Sequence, residues 1–299
     1  MGALLLSLIL PLKAVQSVLN KYTSQSLSGA SNVFRFLSFQ YLISAVIAAV
    51  YFLCTNRSVS LGAVSIFSSL GAAASLALSS VFYILALQQG AMALVSLAAA
   101  AGLIVPIIGS IFLFGENLSL FSVLGLLLLG LSVYLQTGYS KQIYNRFSFK
   151  TFLLLLGVTL SNGAVVLFQK MYANFLPNPN ISFFSVCLFG FGFIFLTVFY
   201  IFSNKNQNPI RSLAVMYKFD KKILAVGLGI AVTLFLLNQL CTSATKVLPA
   251  AVQCITVDGG SMIIAVLTGA LFYKEKITPR NAVSVILSIA ALLIINLFG

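Results

Sequence analysis

Histidine and tryptophan are absent from this chain of 299 residues, and only four of its side chains are acidic. Without histidine the commonest metal ligand and general base is missing. The four cysteines, Cys54, Cys187, Cys241 and Cys254, show no C-x-x-C spacing. No metal centre, disulfide framework or cofactor is therefore expected. Glu116, Asp220 and Glu275 fall at the ends of apolar runs, which leaves Asp258 as the lone acid inside one. With no second acid beside it, and no G-x-S-x-G or H-E-x-x-H, hydrolytic chemistry lacks its parts and an enzyme is not expected. Polar stretches are scarce as well. Charged residues make up 7% of the chain and hydrophobic ones 60%, with a mean hydropathy of +1.09 that lies outside the range of soluble domains.

What fills the chain is a series of apolar runs, each of roughly 20 residues and so long enough to cross a hydrocarbon core of about 30 Å as a helix. The expected fold is all-α, with about ten transmembrane spans at 2–22, 32–54, 61–88, 91–114, 119–139, 150–172, 181–203, 222–244, 250–273 and 279–298. The first run follows Met1 without a basic leader or an A-x-A cleavage pattern, and is expected to be a retained span. Breakers separate the spans: Asn56, the Pro177-Asn178-Pro179-Asn180 turn, the stretch from Asn204 to Pro209, Pro249, and Thr278-Pro279 as an N-cap followed by proline at the first helical position. The longest connector, Ser203 to Lys222, mixes Leu213, Val215, Met216 and Tyr217 with basic residues; a short helix lying on an anionic leaflet and a solvated loop both fit it.

The net charge of +13 is spread over short connectors rather than gathered in one tract, so no nucleic-acid partner is expected. Thirteen of the seventeen basic residues, among them Lys21, Arg35, Lys141, Arg146 and Lys150, fall at one set of helix ends. The positive-inside rule makes that set cytoplasmic and puts both termini outside.

An internal repeat organises the chain. Phe114-Gly115-Glu116-Asn117-Leu118-Ser119 closes the fourth span and Tyr273-Lys274-Glu275-Lys276-Ile277-Thr278 closes the ninth. The same register pairs Gly90-Ala91-Met92-Ala93 with Pro249-Ala250-Ala251-Val252, and Asn20-Lys21-Tyr22 matches Gln169-Lys170-Met171-Tyr172. The halves are 1–140 and 150–299, joined by a connector at 141–149. Five spans per half, an odd number, invert the second copy and place a cavity at the repeat interface.

With its small-residue fourth span (Gly90 to Gly102), Pro106 within that span, and the Glu-x-apolar-Ser/Thr closures, the chain resembles the drug/metabolite transporter superfamily, EamA-like ten-helix branch. The resemblance implies a ten-helix bundle with a central cavity that carries amino acids, sugar phosphates, nucleotide sugars or drugs in different branches. It also implies a bacterial plasma (inner) membrane location and cytoplasmic termini, the reverse of the charge count. The tenth span departs from the pattern in lacking the glycine spacing of the fifth (Gly125, Gly130).

Polar residues inside spans nominate the solute site, because each is costly in hydrocarbon and must be matched by something. Asp258 sits among Thr256, Gly259, Gly260 and Ser261. Lys13, Gln16 and Asn20 share one face of the first span, two residues beyond Pro11, and the repeat register sets Asn162 against Lys13 and Gln169 against Asn20. Asn238, Thr242 and Thr245 form a further stripe with Gln239 and Lys246 beside it, mirrored more mildly by Ser75, Ser79 and Tyr83. Gln88, Gln89 and Lys170 read as interfacial, and Lys246 as either snorkelling or touching solute. Pro11, Gly102, Pro106, Gly259 and Gly260 are candidate hinges.

The function expected is secondary transport, as exporter or exchanger, of a small polar or charged organic solute by alternating access. Lys13 and Lys246 tilt the solute towards a carboxylate or phosphate. Lys13 and Asp258, as an intramembrane pair or as opposed charges lining the cavity, would bind a zwitterionic or anionic solute, or a proton in a proton-coupled step. The lipid bilayer is the expected partner, and the assembly a monomer or homodimer. Mixed amides, hydroxyls and single charges do not make the uniform rings of a channel. A non-transporting scaffold or lipid-handling protein remains the alternative, favoured if the polar stripes prove closed and fully paired.

Overall fold

A computed structural model of the chain describes residues 2–55, 58–59, 62–89, 92–115, 119–137, 149–204, 219–248, 279–298 and the single positions 252, 257, 260, 264, 267 and 271. Its helices, numbered in chain order, are α1 (Gly2–Ser26), α2 (Ala30–Cys54), α3 (Ala63–Gln89), α4 (Met92–Ala101), α5 (Ile104–Phe114), α6 (Leu120–Thr137), α7 (Phe149–Phe175), α8 (Ile181–Ser203), α9 (Lys221–Ala244) and α10 (Pro279–Phe298). No strand occurs among the described residues. Five helices, α2, α3, α7, α8 and α9, are long and apolar enough to cross a membrane. At 23 to 27 residues each, they reach roughly 35–40 Å. Large apolar side chains such as Phe112, Leu120 and Phe149 face outward, the inverse of a water-soluble surface. This is the build of a helical membrane protein. The ninth expected span, 250–273, falls mostly outside the described residues.

Local chemistry sets the helix ends. Asn180 caps α8: its Oδ1 accepts from the backbone N–H of Ser182 at 3.0 Å and of Phe183 at 3.2 Å, while its Nδ2 donates to the Ser58 carbonyl at 2.8 Å. Gly115 ends α5 with φ at 63°, a left-handed conformation that glycine adopts without strain, and α10 begins at Pro279.

The fourth span, expected as one helix over 91–114, is two helices with a tight turn between them. Gly102 and Leu103 N–H reach back three residues to the Ala99 and Ala100 carbonyls, at 3.1 Å each, instead of four. Pro106 has no N–H to offer Gly102, whose carbonyl accepts from Val105 at 3.0 Å. The shift takes Gly102 N–H away from the Ala98 carbonyl, and in lipid such a group must be satisfied within the protein. Helix α7 does this: Thr159 Oγ1 donates to the Ala98 carbonyl at 2.8 Å and Asn162 Nδ2 to the Ala99 carbonyl at 3.0 Å.

The packing pairs α3 with α7, α2 with α8, α6 with α10 and α1 with α9. In the middle lies Tyr41, fully buried, its ring edge-on to Phe189 at 5.9 Å and its hydroxyl 2.9 Å from Ser80 Oγ, so one side chain joins α2, α3 and α8. Ser132 of α6 donates to the Ser284 carbonyl of α10 and lies 2.8 Å from Ser288 Oγ. Lys170, expected at the interface, is 3% exposed with its ammonium 5.4 Å from the Phe114 ring centre.

Candidate functional site

A cavity of about 160 Å³ opens among α1, α2, α3, α4, α7 and α9. Two helices meet it with the same spacing. Lys13, Gln16, Ser17 and Asn20 of α1 fall at i, i+3, i+4 and i+7, and so do Asn162, Val165, Val166 and Gln169 of α7. That spacing is one face of a helix, so each of these runs turns a single stripe to the cavity. Opposite them stand Ser79, Ser80 and Tyr83 of α3, Ser96 of α4, Gln40 of α2 and Asn238 of α9. Leucine, isoleucine and valine side chains fill the remaining wall, including Leu37, Ile84, Ile230 and Leu234.

Among the candidates nominated from sequence, Lys13, Gln16, Asn20, Ser79, Tyr83, Asn162, Gln169 and Asn238 line this one cavity. Others do not. Gln239 is one residue, about 100°, round the helix from Asn238, and the wall does not include it. Thr242 lies a turn further on, also outside the wall, with its hydroxyl spent on the Asn238 carbonyl at 2.8 Å. Lys246 follows the end of α9, exposed, its ammonium donating to the Pro179 carbonyl at 3.1 Å; it holds the turn between α7 and α8 instead of lining the cavity. Asp258 lies outside the described residues, next to Val257, which does line the wall.

The hydrogen bonds divide the wall into satisfied and unsatisfied groups. Gln169 Nε2 donates to Asn238 Oδ1 at 2.6 Å, which locks an amide of α7 to one of α9 within the second half of the chain. Tyr83 hydroxyl lies 3.4 Å from Ser96 Oγ and within electrostatic reach of Lys13 and Ser17. Asn162 is committed to the Ala99 carbonyl, so its Nδ2 supports the α4–α5 break from the cavity edge. By contrast, Gln40 Nε2 and Asn238 Nδ2 are buried without any hydrogen-bond partner. Such donors cost about 1–3 kcal/mol each while they stay unmatched. Lys13 makes no ion pair among the described residues and is the one charged side chain of the described wall.

The structural role of Asn162 predicts a modest stability change. Asn162→Ala should lower the apparent melting temperature of purified protein, by the loss of an interhelical bond worth about 0.6–1 kcal/mol. Thr159→Val should do the same through the Ala98 carbonyl.

Sequence reasoning missed Gln40, Ser17, Ser80 and Ser96. Gln40 alone carried a readable signal, since it is the one amide side chain between Val33 and Cys54. At helical spacing only Ser44, four residues on, accompanies it, and a lone serine did not mark the face as a stripe.

No protein-family model matches the sequence, and no curated protein matches it. A solved structure described only as the crystal structure of a protein is similar over 99% of this chain and 97% of its own, with a TM-score of 0.72 and 14% identity. At that identity the likeness is one of fold. It extends over nearly the whole of both chains.

Proposed function

We propose that the chain is a secondary transporter of a small polar or charged organic solute, an exporter or exchanger that works by alternating access through the α1–α3–α7–α9 cavity. The observation that carries this reading is a cavity lined by polar side chains from both halves, two of which, Gln40 and Asn238, hold buried N–H₂ groups without a partner. A scaffold would have closed those groups on one another, and Gln40 and Asn238 are not closed.

The ten-span, inverted-repeat organisation and the likeness to the EamA-like drug/metabolite transporters belong to the same proposal. The helix pairing supports it. If α1, α2, α3 and α6 correspond to α7, α8, α9 and α10, exchanging the halves turns the α3–α7 contact into the α9–α1 contact and returns α2–α8 and α6–α10 onto themselves. The cavity faces support it too, since the register that sets Lys13 against Asn162 also sets Gln16, Ser17 and Asn20 against Val165, Val166 and Gln169. A plasma-membrane location follows from the family likeness.

Solute exchange tests the proposal. Vesicles containing the purified protein and loaded with pooled amino acids, sugar phosphates, organic acids or organic cations should exchange at least one pool faster than protein-free vesicles. Equal rates for every pool reject transport.

A further inference from the structure

We propose that the solute is a small organic anion, held through its carboxylate or phosphate oxygens by Lys13, Gln40 and Asn238; this assignment rests on the transport reading and narrows it. The three residues come from α1, α2 and α9 and line one cavity. Each offers hydrogen-bond donors that the described protein does not use. Lys13 forms no ion pair among the described residues, and Gln40 Nε2 and Asn238 Nδ2 have no partner although the two residues are 1% and 6% exposed. An ammonium has no accepting capacity; Asn238 has its oxygen engaged and its N–H₂ open, and the Gln40 amide makes no hydrogen bond among the described residues, so its N–H₂ is open as well.

Two wall acceptors that could suit a cation are taken. Asn238 Oδ1 receives Gln169, and the Ala99 carbonyl at the cavity edge receives Asn162. A positive solute would also meet Lys13, the one charge of the described wall. A neutral solute could satisfy the amides, but it would leave the ammonium without a counter-charge from the described wall. An oxyanion answers all three donors at once, because each of its oxygens accepts two or more hydrogen bonds and ionised acceptors bind donors most strongly. Leu37, Leu234, Leu237, Val165 and Val166 supply an apolar surface for a short carbon body, and a volume of about 160 Å³ limits that body to a few carbons.

The test is calorimetric binding to the full-length protein in lipid nanodiscs, using butyrate, succinate and glycerol 3-phosphate as anions, butyramide as the neutral isostere and choline as the cation. At least one anion should bind while butyramide and choline do not, and butyrate against glycerol 3-phosphate separates a carboxylate from a phosphate ester. Lys13→Met should weaken anion binding about tenfold or more, and Lys13→Arg should retain most of it. Should Lys13→Met fail to yield monodisperse protein, Gln40→Leu serves as the second variant and should weaken the same binding. Preference for butyramide or choline, binding of no anion, or unchanged anion affinity in a well-folded Lys13→Met protein overturns the assignment. The vesicle exchange experiment separates the two failures: exchange of a neutral or cationic pool leaves transport standing without the anion, and exchange of no pool removes both.

Discussion

Gly163→Val is expected to leave little folded protein. At this crossing of α7 with the α4–α5 break, a Cβ built on Gly163 would collide with the Gly102 carbonyl oxygen and come within 2.7 Å of Val105 Cβ. The reciprocal Cβ on Gly102 would lie 2.5 Å from the Thr159 carbonyl oxygen. The two carbonyl oxygens are backbone and Val105 Cβ is fixed to it, so no side-chain rotation relieves the clash, and the helices must separate. Separation also stretches the two bonds that serve the break, Thr159 to Ala98 and Asn162 to Ala99. Overpacking typically costs about 1–3 kcal/mol, and a backbone-to-backbone contact belongs at the upper end. The expected readout is a large fall in monodisperse yield and in apparent melting temperature. Gly130→Ala is the matched control: nothing lies within 4 Å of a Cβ there, and alanine in a helix interior should hold or slightly raise stability. Equal stability of Gly163→Val and parent would show that α7 does not approach α4–α5 this closely.

That crossing also marks where the sequence stops being legible. The ends of α2, α8 and α10 follow from apolar length and punctuation, since Asn180 caps α8 through the N–H groups of Ser182 and Phe183 and Pro279 opens α10 by its fixed φ. Pro106 and Gly102 were visible as hinge candidates, and Pro106 accounts for the lost N–H. The division into α4 and α5 was not visible, because it depends on Thr159 and Asn162 accepting the duty of satisfying carbonyls some sixty residues away. Close approach is a property of two helices together, and a single glycine such as Gly163 in an apolar run looks the same whether it is crossed or bare.

The candidate site divides along the same line. The polar face of α1 and the matching positions of α7 were readable because helical periodicity places i, i+3 and i+7 together. Periodicity gave the faces of α1 and α7 but not which side of α9 meets the cavity or where it ends: Thr242 was expected in it, yet its neighbour Cys241 lines the wall instead, and Lys246 lies past the end of α9. Nor does it say which polar groups are already engaged. Asn162 and Gln40 are alike in type and span position, yet one is bonded to a carbonyl and the other has an open donor.

Gln40→Leu should make the empty protein more heat-resistant and the proposed solute exchange slower, and this opposition distinguishes a binding residue from a structural one. Gln40 is 1% exposed, with Leu37 and Tyr41 as helix neighbours, and its Nε2 has no partner. Removing an unmatched buried donor and keeping most of the volume should recover about 1–2 kcal/mol, seen as a higher apparent melting temperature without ligand. With a saturating anion the order should narrow or reverse, because only the parent gains the ligand's bond, and binding to the folded state raises its melting temperature. Solute exchange should fall more than tenfold, the scale expected of a lost hydrogen bond to a charged oxygen. Asn238→Leu should behave differently. Its Oδ1 accepts from Gln169 Nε2, so leucine there strands a second buried amide and lowers stability as well as binding. A Gln40→Leu protein that melts below its parent would mean that the Gln40 amide is matched within the fold. The cavity would then keep Lys13 as its unmatched cation, and α2 would be wall rather than ligand.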